Sequence, residues 1–320
     1  MIDRRTLLGA MAAFPLLSSG ACAVSLQAPA AQVRTRLVPG ANEQVPVIGV
    51  GTARRYQGAG SEEQLAPLRA TISRFVDLGG RLIDTAPSYG DAEQVIGRLV
   101  EELGIRNRLF LATKVAGADA AEGRAQIERS FRNLGTDVLD LVALHNQQDT
   151  ANKLALLREL KDQRRVRSIG ASISSRAGFG PTADAIAAQP EQYAGFEALM
   201  RQERLDVIQV DYALDNRGAA ERILPLARDQ GLAVMVNLPF GRGRLLEATK
   251  GRPLPDWATE IGAATWAQFF LKYIVSHPSR PIAIPGMAQA RYVDDNLAAA
   301  RGPMPDAAIR RQMEQYIDAL

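Results

Sequence analysis

The stretch LAPLRATISRFVDLGGRLIDTAPSYG, residues 65–90, holds one full unit of a repeating pattern and decides how the chain folds. Its first half places Leu65, Leu68, Ile72, Phe75 and Val76 three and four residues apart, the apolar face of a helix. Gly79-Gly80 is a stop signal for that helix. RLIDTA (81–86) follows as a short apolar run, the pattern of a strand covered on both sides. Asp84 breaks its apolar character near the end, Pro87 turns the chain, and Tyr89 sits in the loop beyond.

The same order recurs along the chain. LFLATK (109–114), DLVALH (140–145), SIGAS (168–172), VIQVDY (207–212), AVMVNLP (233–239) and PIAIPG (281–286) are strand candidates of the same kind, and VPVIGVG (45–51) supplies an eighth run upstream. Between them AQIERSFRNLG (125–135) and AAERILPLARDQG (219–231) repeat the device of an amphipathic helix ended by glycine. Eight strands alternating with helices predict a parallel sheet closed into an α/β (β/α)8 TIM barrel. An open doubly wound sheet is the competitor, but it wants a Gly-x-Gly-x-x-Gly turn after an early strand, and none stands there. VRTRLVPGANEQVPVIG (33–49) reads as an N-terminal β-hairpin turning at Pro39-Gly40-Ala41-Asn42. Two long loops, residues 173–192 and 240–262, leave the carboxyl ends of their strands, where barrels build their sites.

The 320 residues are 47% hydrophobic and 23% charged, an ordinary globular composition, with a formal charge of +3. No dense Lys/Arg run points to nucleic acid. Residues 1–23, MIDRRTLLGAMAAFPLLSSGACA, read as a signal peptide: charged start, apolar run too short for a membrane span, and a small-residue cleavage site at Ala21-Cys22-Ala23. Arg4-Arg5-Thr6-Leu7-Leu8 resembles a twin-arginine signal, which predicts a periplasmic or otherwise exported protein. Cleavage after Ala23 removes Cys22, the only cysteine, and with it disulfides and thiol chemistry. Lipidation at Cys22 is the alternative, with Ser19 standing where a lipobox usually has Leu. Residues 33–320 are then a single barrel domain. His145 and His277 are the only histidines and lie far apart in the chain, so no metal site is expected.

Asp84, Lys114 and His145 stand at or near the ends of three consecutive strands, and Tyr89 follows the first of them. Each has an ordinary reading alone: a turn cap, a packed ring, a solvated strand end, a half-buried histidine. In a barrel, however, neighbouring strand ends converge on one rim, and charge after an apolar run is uncommon. At these residues the chain resembles the aldo-keto reductase family. The resemblance runs from about residue 33 to 301 and rests on VPVIGVGT, GGRLIDTAPSYG, LFLATK, LDLVALH, SIGAS, IQVDY and AIPGMAQARYVDDNL in that order. It implies an NAD(P)-dependent oxidoreductase acting on a small-molecule carbonyl, with the family's catalytic tetrad on Asp84, Tyr89, Lys114 and His145. Tyr89 is then the general acid, its pKa lowered by Lys114; Asp84 holds Lys114; neutral His145 orients the carbonyl oxygen.

By the same resemblance, Ser172 and Gln209 hold the nicotinamide carboxamide, Asp295 and Asn296 lie near the adenine, and Gly286 and Arg291 lie near the adenosine phosphate. Ile173 departs from the family's usual Asn, Asn237 from its stacked Tyr, and Gly286-Met287 from its Lys-Ser pair. NADP is the expected cofactor, with NAD as the alternative. Arg54, Arg55, Tyr56, Phe240 and Trp257 are candidates for the pocket lining. Two rival readings follow from the same residues: a cofactor-binding sensor or partner protein with little turnover, and a barrel enzyme using Lys114 as a Schiff-base amine.

Overall fold

Local signals start the elements, and glycines stop the helices as expected. The helix Glu62–Asp77 begins at Ser61, whose hydroxyl accepts from the Gln64 N–H at 3.3 Å while Gln64 Oε1 accepts from the Ser61 N–H at 3.1 Å, a reciprocal cap. It ends where Gly79 takes φ 89° and where a side chain at Gly80 would sit 2.3 Å from Phe75. The computed structural model describes residues 32–145 and 147–320. The expected signal peptide (1–23), with Arg4, Arg5 and Cys22, lies outside the described residues.

Among the described residues, ten strands form two sheets. β1 (Thr35–Val38) and β2 (Glu43–Pro46) are the expected antiparallel hairpin, Thr35 opposite Pro46. Its turn closes through the Asn42 N–H on Pro39 O at 3.0 Å, with Asn42 at φ 50°. β3 (Val50–Gly51), β4 (Leu82–Asp84), β5 (Phe110–Val115), β6 (Leu139–Leu144), β7 (Val166–Ile173), β8 (Val207–Asp211), β9 (Ala233–Asn237) and β10 (Ile282–Ala283) pair in chain order, all parallel. The seam between first and last strands is closed by parallel bridges, Ile48 to Ala283 and Gly51 to Gly286. Backbone bonds from Gly49 to Ala283 O and from Gly51 to Pro285 O, 2.9 Å each, tie it. The sheet is therefore a closed eight-stranded barrel wrapped by helices.

The run at 45–51, read as one strand, is divided. Val45-Pro46 belongs to the hairpin and Val50-Gly51 to the barrel. The chain bends between them at Gly49, where a side chain would lie 2.6 Å from Leu82. The long loops at 173–192 and 240–262 also hold short helices, including Arg176–Phe179, Ala183–Ala187 and Arg244–Ala248.

Two cores follow from strand alternation. Leu82, Phe110, Ala112, Leu141, Val207, Ala233, Met235, Ile282 and Ile284 fill the barrel, joined from below by Val38 and Val45 of the hairpin. Ile83, Leu111, Val142, Ile169, Ile208 and Val234 point the other way, against the helices. The hairpin is held over the amino-terminal end by Glu43, which pairs with Arg81 and Arg167, while Arg167 and Arg106 both reach buried Asp140. That end is plugged, so chemistry is left to the opposite rim. Phe110→Ala, emptying the barrel core, is expected to cost about 3–5 kcal/mol of stability in denaturant melts, whereas Leu37→Ala on the exposed hairpin face should stay within about 0.5 kcal/mol.

Candidate active site

The inward series of each strand changes character one step above the apolar barrel layer. Asp84 follows Leu82, Lys114 follows Ala112, Gln209 follows Val207, and Ser172 follows Gly170, each two residues on. These polar groups thus share one level at the carboxyl rim, and Asp84, Lys114, Ser172 and Gln209 are all buried.

Lys114 Nζ is the centre. It donates to both Asp84 oxygens at 2.8 Å and to Thr85 O at 2.8 Å. Gln209 Nε2 reaches Asp84 Oδ2 from across the barrel at 3.4 Å. The Lys114 ammonium lies 5.2 Å from the centre of the Tyr89 ring. Tyr89 and His145 meet edge to face, 5.8 Å between ring centres at 85°. Ser88 Oγ lies 3.3 Å from His145 Nδ1. The structure brings Asp84, Tyr89, Lys114 and His145 together, as the strand ends predict, and adds Thr85 O and Ser88 to them. The Ser in PSYG was the signal for Ser88; a backbone carbonyl such as that of Thr85 has none.

The electrostatics follow from burial and this geometry. Burial works against charge on Lys114, but Asp84 and then Tyr89 outweigh it, and its pKa is raised. The amine stays an ammonium bonded to three acceptors, without the free lone pair that Schiff-base formation needs. Tyr89 corrects the expectation of a lowered phenol pKa. Burial pushes the phenol up more than the Lys114 charge pulls it down, so Tyr89 holds its proton near neutrality. Burial, then Lys114, depresses His145 to about 4, so the ring is neutral as expected.

The cofactor candidates divide into two groups. Ser172 and Gln209 sit side by side in register on β7 and β8; Ser172 Oγ donates to Leu144 O at 2.9 Å, which leaves the hydroxyl oxygen an acceptor toward any further partner. Gly286 lies on the barrel seam opposite Gly51, with the Arg55 side chain 3.4 Å from where a β-carbon would stand. Arg291 stacks on exposed Tyr292 at 4.9 Å. Asp295 Oδ1 accepts from Thr265 at 2.8 Å and Gln268 at 2.7 Å, binding the helix Ala290–Ala298 to the helix Trp266–Val275, and Asn296 is buried beside it. This second group shares no hydrogen bond with the tetrad among the described residues. Tyr56 does not line a pocket: it is fully buried and donates to Met287 O at 2.9 Å, fastening the loop after β3 to the loop after β10. The rim residues fit a nicotinamide: a neighbouring Ser and Gln at one level, and a buried Asn237 Oδ1 that has no partner among the described residues.

The aldo/keto reductase family's sequence profile matches residues 47–316, nearly the whole barrel. The chain belongs to this family. It is 29% identical over 283 residues to methylglyoxal reductase YeaE of Escherichia coli, spanning 85% of this chain and 91% of that protein. It is 30% identical over 220 residues to aldo-keto reductase YhdN of Bacillus subtilis, 62% of this chain and 59% of that one. An aldo-keto reductase from Klebsiella pneumoniae, solved with NADPH, superposes with a TM-score of 0.68 at 28% identity over 90% of this chain and 95% of its own.

His145 sets an expected pH dependence. Unfolded histidine binds a proton at pKa about 6.5, whereas folded His145 resists it down to about 4. Between those values the unfolded state binds more protons, so His145's contribution to stability is present above the upper value and lost as pH falls. Urea melts from pH 7 to 4.5 should show stability falling less steeply in His145→Asn than in the parent chain; equal slopes would mean that the ring titrates normally.

Proposed function

We propose that this family member reduces a small aldehyde or ketone with NADPH as hydride donor and Tyr89 as general acid. The observation that carries the reading is the buried Lys114 ammonium, clamped by Asp84 at 2.8 Å and lying 5.2 Å from the Tyr89 ring centre. The bound nicotinamide supplies the hydride. The carbonyl oxygen gathers negative charge and takes the Tyr89 proton, and the phenolate left behind is stabilised by Lys114. Burial keeps Tyr89 protonated beforehand, the state a proton donor requires. His145 is the neutral partner of the carbonyl oxygen in the tautomer whose Nδ1 accepts the Ser88 hydroxyl's hydrogen bond and whose Nε2 keeps the ring proton and donates a hydrogen bond with it.

Ser172 and Gln209 hold the carboxamide end in this reading. Gly286, Arg291, Asp295 and Asn296 serve the adenosine end, with Arg55 beside Gly286 as a further cation. Relatives named as methylglyoxal reductases support a small carbonyl substrate, and methylglyoxal is the first to assay. NADP-bound family structures support NADP. Tyr89→Phe should lower turnover by at least about 10²-fold while NADPH binds with unchanged affinity; undiminished turnover would remove Tyr89 from the reaction.

We further propose that the chain is exported folded, with Arg4-Arg5 as the twin-arginine signal and cleavage after Ala23. Replacing Arg4 and Arg5 by lysine should keep the protein in the cytoplasmic fraction. Unaltered export of that variant would defeat this route.

A further inference from the structure

One inward-facing amide at the rim lies outside the proton-transfer group. On β9, Ala233 and Met235 belong to the barrel interior while Val234 and Val236 face the helices, so Asn237 is next in the inward series. Its Nδ2 donates to Ser174 Oγ at 3.0 Å. Ser174 itself lies two residues beyond inward Ser172. The bond therefore spans β8, whose Asp211 is the register partner of Asn237. Asp211 is engaged elsewhere, with the Ser175 N–H and hydroxyl at 2.7 Å each and Asn216 at 2.6 Å. Asn237 is thus fixed by one end of its amide, and the other end, Oδ1, is buried with no hydrogen-bond partner among the described residues. Buried acceptors are nearly always paired, so this one is suited to a ligand's donor.

We propose that Asn237 is a cofactor-positioning residue, its Oδ1 accepting a hydrogen bond from the carboxamide N–H of the nicotinamide, with Ser174 setting its direction. The inference rests on the proposed placement of the carboxamide beside Ser172 and Gln209. A carboxamide presents two N–H donors and one carbonyl acceptor. Ser172 spends its proton on Leu144 O and so meets a ligand as an acceptor, and Gln209 Nε2, with one N–H on Asp84 Oδ2, keeps its second N–H for the carboxamide oxygen. Asn237 Oδ1, buried and without a partner among the described residues, offers an acceptor to the other N–H. Ile173, between Ser172 and Ser174, packs against the outer core and contributes no polar group.

The test is calorimetric binding, without turnover, of NADP+ and of its 3-acetylpyridine analogue, which keeps the ring carbonyl but has no N–H. The parent chain should bind NADP+ about five- to tenfold more tightly than the analogue, the value of one or two net hydrogen bonds. In Asn237→Leu that ratio should fall to about twofold, mainly through weaker NADP+ binding, with Ser172 still accepting from the other N–H. Ser174→Ala, which frees the Asn237 amide, should narrow the ratio to an intermediate value, and it carries the test if the leucine variant fails to fold. A parent-like ratio in the folded variants overturns the role of Asn237 while leaving the cofactor reading intact. Binding of neither nucleotide by the parent chain overturns both.

Discussion

The site is organised by an ion pair that has little access to water. Lys114 and Asp84 are 2% and 4% exposed, and each depends on the other to hold a charge there. A lone ammonium or carboxylate at that depth would neutralise; together, with Thr85 O and Gln209 filling further hydrogen-bonding positions, they persist. What the fold obtains is a fixed positive charge beside the Tyr89 phenol. That charge acts most strongly on the anionic form of Tyr89, the form produced when its proton has left. The phenol is therefore kept neutral at rest by burial, while Lys114 would stabilise the phenolate that the proposed proton transfer leaves, two effects of opposite sign from one buried location.

The barrel makes this arrangement affordable in structural terms. Its strands give alternate side chains to the interior, so an apolar layer from Leu82 to Ile284 is followed, two residues later on several strands, by a polar one. The amino-terminal end is closed by the hairpin and its Glu43, Arg81 and Arg167 contacts, which leaves the polar layer facing the other rim. The loops there are tied down by buried polar bonds: Asp211 to Ser175 and Asn216, Gln189 to both, and Tyr56 to Met287. A rim built from loops is thus held to the rigidity of the strands beneath it.

Local pattern in the chain was enough to read the repeating strand and helix units, their glycine stops, the hairpin with its turn at residues 39–42, and the four residues at converging strand ends. These depend on spacing of three to four or of two residues, which neighbours in the chain dictate. Tertiary structure decided the rest. Closure of the seam joins Ile48 to Ala283 and Gly51 to Gly286, partners more than two hundred positions apart whose pairing and register no local pattern states. Tyr56 became core and Asp295 a tie between two helices because the groups that claim them, Met287, Thr265 and Gln268, arrive from other segments. The resting state of Tyr89 depended on whether burial or the Lys114 charge was stronger, and the Asn237 bond to Ser174 on how two loops leave the rim. Depth and distance across the barrel fix such balances, and neither is a property of residue order.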